Sequence, residues 1–170
     1  MAAPLIHFVH GKESGPWGGK IKALAEVGRR LGCQVESLDY SFTQDPEERL
    51  ARLLGACVSR TGELLLVGSS MGGWVAAEAC TRLDAKGLFL LAPALHMPGY
   101  PTQDPAVSGR HVEIVHGWND AVIPYENSIR FAREHQCTLH LVESDHRLND
   151  CIPLLCGWFE SFLQRLLQAH

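Results

Sequence analysis

Short, dense apolar runs alternating with longer stretches of three- and four-residue apolar spacing constrain the fold of this chain more than any other feature. A run with almost no polar interruption suits a strand covered on both faces, and the 3.6-residue period marks a helix with one buried stripe. Pro4–Val9 predicts a first strand, and 18–31 a helix with Ile21, Leu24, Ala25, Gly28 and Leu31 on one side. Gly32 stands where a helix-ending glycine belongs, and Gln34–Leu38 predicts a second strand. Asp45-Pro46-Glu47-Glu48 opens the next helix with a capping Asp, Pro at the first helical position and acid in the first turn. Leu50, Leu53, Leu54 and Cys57 form its apolar stripe. Strands at Glu63–Val67, Lys86–Leu91, His111–Val115 and Thr138–Val142 follow, with helices at Met71–Leu83, Tyr125–Glu134 and Asp150–Leu167. With 170 residues, no repeat period and no linker, this alternation predicts one α/β domain. Its architecture is a three-layer α/β/α arrangement around an open, mostly parallel six-stranded sheet. Sites in such sheets form at the carboxyl ends of the strands, which directs attention to the loops after Val9, Val67, Leu91, Val115 and Val142.

The loop after the third strand reads Gly68-Ser69-Ser70-Met71-Gly72, a G-x-S-x-G sequence between a strand and a helix. In that setting the central serine occupies a strained turn and small neighbours let strand and helix approach closely. Ser70 is therefore the candidate nucleophile, with the N–H of Met71 aimed at a developing oxyanion. A glycine-rich turn that holds a phosphate is the competing reading, but neither G-x-x-x-x-G-K nor an opening G-x-G-x-x-G is present. An activated serine needs a base and an orienting acid, here expected in the order Ser, Asp or Glu, His. The fifth strand leads into His116-Gly117-Trp118-Asn119-Asp120, and the sixth into Glu143-Ser144-Asp145-His146. Asp120 and His146 complete the set, with His146 as proton acceptor and Asp120 fixing its tautomer. Asp145, beside His146, reads as a loop cap or surface acid. His10-Gly11-Lys12 ends the first strand, and the backbone N–H of Lys12 is the expected second oxyanion donor; the stretch to Ser14 is an alternative anion cradle.

His7, His10, His96, His111, His116, His135, His140 and His170 show no H-x-x-x-H or H-E-x-x-H spacing, so no metal site is expected from the sequence. Most read as ordinary hydrogen-bonded histidines, with His10 bracing the Gly11 loop and His116 the Asp120 loop. Cys33, Cys57, Cys80, Cys137, Cys151 and Cys156 form no CxxC pair, and most of them read as buried thiols in a reducing compartment. A net charge of -4 with no basic block beyond Arg29-Arg30 argues against a nucleic-acid partner. No window approaches the ~20 apolar residues of a membrane span. Met1-Ala2-Ala3-Pro4 has no basic leader, so a cytoplasmic protein without membrane attachment is expected.

The strand-HG opening, the elbow around Ser70, the HG-x-x-D segment before Val122-Ile123-Pro124 and the late Asp145-His146 pair resemble the alpha/beta-hydrolase superfamily across nearly the whole chain. The resemblance implies that the first strand corresponds to the superfamily's third, and that only about 16 residues, 94 to 109, stand where larger members carry a cap domain. The chain most resembles small, capless bacterial serine esterases of the YqiA type. That resemblance implies a minimal hydrolase fold acting on small esters or thioesters through an acyl-enzyme on Ser70, with no cofactor. Trp17, Met71, Trp74, Met97, Tyr100 and Trp118 are the expected substrate contacts. Thioesterase, peptidase and depolymerase specificities share the same carbonyl chemistry. The alternative from another class is a non-catalytic hydrolase fold used for binding or scaffolding. Exposed sheet edges and the apolar closing helix leave room for a homodimer.

Overall fold

The computed structural model describes residues 2–168, so His170 lies outside the described part. The chain order is β1 (Leu5–Val9), α1 (Gly19–Arg30), β2 (Gln34–Ser37), α2 (Pro46–Cys57), β3 (Leu64–Ser69) and α3 (Met71–Ala79). It continues with β4 (Gly87–Leu91), β5 (His111–Gly117), α4 (Tyr125–His135), β6 (Thr138–Val142), a 3-10 turn at Asn149–Cys151 and α5 (Ile152–Leu167). The strands form one sheet in the order β2-β1-β3-β4-β5-β6, and every pairing is parallel.

Side-chain alternation along each strand divides the core into two layers. Ile6, Phe8, Leu65, Val67, Phe89, Leu91 and Val115 face α1 and α5. Leu64, Leu66, Leu88, Leu90 and Ile114 face the opposite way, toward α2, α3 and α4. The near-continuous apolar runs of β3 and β4 thus reflect burial on both faces. At the centre of the first layer, Phe89 is fully buried with its ring 5.0 Å from that of Phe159 and 5.3 Å from that of Phe162.

Some boundaries differ from the sequence expectation for local reasons. Helix α3 stops at Ala79 instead of Leu83, because the chain turns through Asp84 at φ 50° and the N–H of Ala85 returns to the Cys80 carbonyl at 2.8 Å. Strand β3 runs on through Ser69, held by its register against Leu91 of β4. Strand β5 likewise runs to Gly117, opposite Val142. All six cysteines are free thiols, four of them buried. No helix among the described residues is long and apolar enough to cross a membrane.

The chain leaves β1 toward β2 on one side and returns to β3 on the other, so the crossovers after β1 and β3 diverge. The crevice between their carboxyl ends is the topological switch point of the sheet. Truncating Phe89 to Ala should cost about 3–5 kcal/mol, which lowers Tm by roughly 10 °C in a chain of this size. Thermal denaturation checks it, and a loss of only a degree or two runs against this account of the core.

Candidate active site

Ser70 sits at the switch point, between the end of β3 and the start of α3, with φ 54° and ψ -119°. A non-glycine residue at positive φ is strained, and the surrounding backbone must hold it there. The N–H of Ser70 donates to the Leu91 carbonyl at 3.0 Å, and its own carbonyl accepts from Ala94 at 2.9 Å and Gly73 at 3.0 Å. The glycines make the turn sterically possible. A Cβ on Gly68 would lie 2.3 Å from the Gly72 carbonyl oxygen, and one on Gly72 would lie 2.0 Å from that of Val9. Neither position has room for a side chain.

His146 and Asp120 reach Ser70 from the neighbouring strand ends. The loops after β5 and β6 are joined by the N–H of Trp118 to Val142 O at 2.9 Å and of Asn119 to Ser144 O at 3.0 Å. Gly117 allows this approach, since a Cβ there would meet Ser144 O at 2.2 Å. His146 Nε2 then lies 3.0 Å from Ser70 Oγ and Nδ1 lies 2.7 Å from Asp120 Oδ2. The carboxylate fixes the proton on Nδ1, which leaves the Nε2 lone pair to accept the serine O–H.

The Asp120 side chain is fully buried, and its oxygens are saturated with donors. Oδ1 accepts from the N–H groups of Val122 and Ile123, both at 2.8 Å. Oδ2 accepts from His146 and from His116 Nε2 at 3.0 Å. Burial alone would push this carboxyl up, but the hydrogen bonds from Ile123, His146 and Val122 outweigh it and hold it below the usual carboxylate value. His116 Nε2 faces two acceptors, Asp120 Oδ2 and Ile123 O, so it carries the proton, and Nδ1 accepts from Ser128 Oγ at 2.7 Å.

On the β1 side, Gly11 lies against the serine: a Cβ there would stand 3.4 Å from Ser70 Cβ. The Gly11 carbonyl accepts from His10 Nδ1 at 2.8 Å, from Arg49 at 3.2 Å and from Ser14 Oγ at 3.4 Å. His10 Nε2 in turn accepts the Tyr40 N–H at 2.8 Å. In a trans peptide the N–H points opposite the carbonyl, so these donors also set the direction of the Lys12 N–H. The Met71 N–H, at the first position of α3, belongs to the helix turn that has no intrahelical acceptor.

Arg49 is a neighbour of the site that local sequence does not reveal, since a charge beside Glu48 is equally compatible with a solvated helix face. The available signal was its spacing: Arg49 stands one turn before Leu53, on the apolar stripe. Asp145 is a turn cap as expected, its Oδ1 accepting from the N–H groups of Arg147 at 3.0 Å and Leu148 at 3.3 Å.

The expected substrate contacts divide. Trp74 is a correction: its side chain is buried in the α2/α3 layer, with the indole N–H donating to Thr102 O at 2.7 Å and the ring against Tyr100. A position one turn into a helix that packs on the sheet points into the core. Trp17 is exposed, with the Arg29 guanidinium from the last turn of α1 over its ring, 5.8 Å from the centroid. Met97 and Tyr100 are half-buried in the 94–109 segment, and Trp118 is exposed on the Asp120 loop with its ring 4.8 Å from that of Tyr125. Met71 is buried, whereas the Lys12 side chain is exposed. Two surface hollows lie elsewhere, one against α2 at Leu38, Phe42 and Ala56, the other at the opposite sheet edge around Arg60, Lys86 and Arg110.

An all-parallel sheet with a serine on a strand-turn-helix elbow, and a histidine and buried carboxylate on the last two strand ends, defines a protein of the α/β-hydrolase class. Comparison with known proteins agrees: a match to the alpha/beta hydrolase family spans residues 8–168, and the chain belongs to that family. A crystal structure of a protein assigned to the alpha/beta hydrolase superfamily, from Xanthomonas campestris pv. campestris, superposes with a TM-score of 0.88. It is 34% identical, over 97% of this chain and 100% of its own. A second Xanthomonas campestris protein, described as an α/β serine hydrolase without a lid, shares the fold with a TM-score of 0.73 and 19% identity, over 97% of this chain and 84% of its own. Mitochondrial palmitoyl-protein thioesterase ABHD10 from Bos taurus is 26% identical over 81% of this chain. The chain spans about half of that relative's length, 52%.

Burial holds His7, His10 and His116 below the ordinary imidazole value of 6.5. Each stays neutral in the fold while the unfolded chain takes up a proton below that value. The unfolded state then binds more protons, so the stability these groups contribute is present above pH 6.5 and is lost as pH falls through their folded values. Tm should therefore fall steadily on acidification from about pH 7.5 to about pH 5, and His116→Asn should make the fall shallower. Calorimetry across this range is the check, and a flat profile in the wild type contradicts it.

Proposed function

We propose that this chain is a serine hydrolase that cleaves small or surface-accessible carboxylic esters or thioesters through an acyl-enzyme on Ser70. The observation that carries the reading is the hydrogen-bonded run from Ser70 Oγ to His146 Nε2 at 3.0 Å and from His146 Nδ1 to Asp120 Oδ2 at 2.7 Å. His146 takes the serine proton as Oγ bonds to the substrate carbonyl carbon, and Asp120 stabilises the imidazolium. The N–H groups of Met71 and Lys12 hold the oxyanion of the tetrahedral intermediate. Collapse breaks the bond to the leaving alcohol or thiol, which departs with the proton from His146. Water then loses a proton to the same histidine, attacks the acyl-enzyme and releases the acid. Oxyanion stabilisation at a preorganised donor pair is worth about 3–4 kcal/mol per donor in comparable sites, so the fixed direction of the Gly11–Lys12 peptide bears directly on rate.

Thioester cleavage is favoured as part of the substrate class by the likeness to a palmitoyl-protein thioesterase. A segment of about 16 residues in place of a cap domain, together with a partly exposed His146, favours acyl groups presented at an open surface.

A fluorophosphonate probe should add once to the wild type, read by intact mass, and not at all to Ser70→Ala. Absence of labelling on folded wild type, with a control hydrolase labelled in parallel, would leave the catalytic reading without support. Asp120→Asn should lower kcat on an activated ester roughly 10³–10⁴-fold, because the amide no longer fixes the productive tautomer. A change below tenfold would mean that Asp120 does not orient the base.

A further inference from the structure

We propose that His96, Asp104 and Glu134 form a binding site for a divalent transition-metal ion, Zn²⁺ the best match, which ties the 94–109 segment to the end of α4. The sequence spacing gave no such expectation, since the three residues come from separate places in the chain and the fold alone brings them together.

His96 adopts φ 52°, and its N–H donates to Gln103 O at 2.9 Å, which closes the segment and brings Asp104 alongside the ring. The imidazole is 6% exposed, and among the described residues no hydrogen-bond partner reaches its Nε2. The atom lies 3.7 Å from Glu134 Oε2, beyond hydrogen-bonding range. A buried ring nitrogen without a partner is costly and needs explanation. Two carboxylates stand close to the ring: one donor atom each of His96, Asp104 and Glu134 lies within 4.8 Å of the others.

Zinc bound at about 2.0–2.1 Å places neighbouring tetrahedral donors roughly 3.4 Å apart. An inward movement of about 1 Å by the two carboxylate side chains meets that requirement, and both side chains are exposed. Neighbouring groups already orient both carboxylates. His135 Nε2 lies 2.6 Å from Asp104 Oδ1, the outer-partner arrangement that orients a ligating carboxylate. Arg130 Nε holds Glu134 Oε1 at 3.1 Å and leaves Oε2 turned toward His96. The Arg130 charge opposes a cation, so moderate affinity is expected.

One imidazole with two carboxylates favours zinc and its transition-metal neighbours over Mg²⁺ or Ca²⁺. An ion here would join the segment carrying Met97 and Tyr100 to α4, where Asn127 already donates to His96 O at 3.4 Å and to the Met97 sulfur at 3.5 Å.

Calorimetric titration of the whole chain with Zn²⁺ alone, with Tm measured in parallel, tests this. The variants are His96→Asn, Glu134→Gln and His146→Ala. Asparagine tolerates the left-handed backbone at position 96, so the first variant should remain folded. One equivalent should bind the wild type and raise its Tm. Binding should weaken at least tenfold in both His96→Asn and Glu134→Gln and persist in His146→Ala, and excess Mg²⁺ should not compete. No one-equivalent binding in the wild type, full-strength binding in either of the first two variants, or its loss in His146→Ala would overturn the proposal. Labelling of Ser70 by the fluorophosphonate is read separately, so failure here leaves the hydrolase reading untouched.

Discussion

A methyl group on Gly72 would stand 2.0 Å from the carbonyl oxygen of Val9, and one on Gly68 would stand 2.3 Å from the carbonyl oxygen of Gly72. This near-contact between β1, β3 and the first turn of α3 is the constraint on which the site depends. The strands meet in register with Val9 opposite Gly68, so the two loops that leave them begin at the same height on the sheet. The turn at Ser70 must be tight because α3 starts directly above β1. The strain of φ 54° at a serine is held by hydrogen bonds to β4 and to the residues after it. With the two loops packed this closely, Gly11 and Ser70 have little separate freedom of position.

The same economy governs the other side of the site. A buried carboxylate in a poorly solvated pocket would pick up a proton unless its oxygens were occupied. Asp120 has four donors, two of them backbone groups from its own loop and two of them imidazoles. Because His116 and His146 share one carboxylate oxygen, the ring that points away from the serine helps to set the position of the ring that touches it. His116 is anchored in turn through Ser128 on α4, which links the helix after the Asp120 loop to the geometry at Ser70.

Much of this was legible from residue type and spacing. The six strands and their order of helices follow from apolar periodicity, since each run is short and each helix shows one stripe. The residues brought together at the sheet edge follow from the rule that parallel strands deliver their loops to the same side. Sheet order and the direction taken by individual side chains did not follow. The stripe of α3 is apolar on nearly every face, so periodicity could not say that Trp74 points into the core, where eight of the nine residues of this helix are buried. The termini of β3 and β5 were also set by partners distant in sequence, because Ser69 and Gly117 belong to strands only through Leu91 and Val142. Local propensity has no access to such pairings.

Arg49 shows how such nonlocal contacts reach the chemistry. A guanidinium with no exposed surface is costly to bury, and among the described residues no carboxylate is hydrogen-bonded to it. Its hydrogen-bond acceptors are the carbonyls of Thr43, His10 and Gly11, at 2.9, 3.2 and 3.2 Å. Three peptide dipoles therefore take the place of a counter-ion, and two of them belong to the loop beside Ser70. An apolar residue at this position would remove the buried charge but leave those carbonyls without the donor. A lysine would keep the charge as a point and lose the planar fork that reaches two separate segments. The arginine thus fixes the directions of the His10 and Gly11 carbonyls together, and through the rigid peptide unit it fixes the Lys12 N–H that faces the other way. A helix two elements away from the serine, through a residue that reads as surface charge, sets the backbone geometry on which stabilisation of an oxyanion at Ser70 would rest.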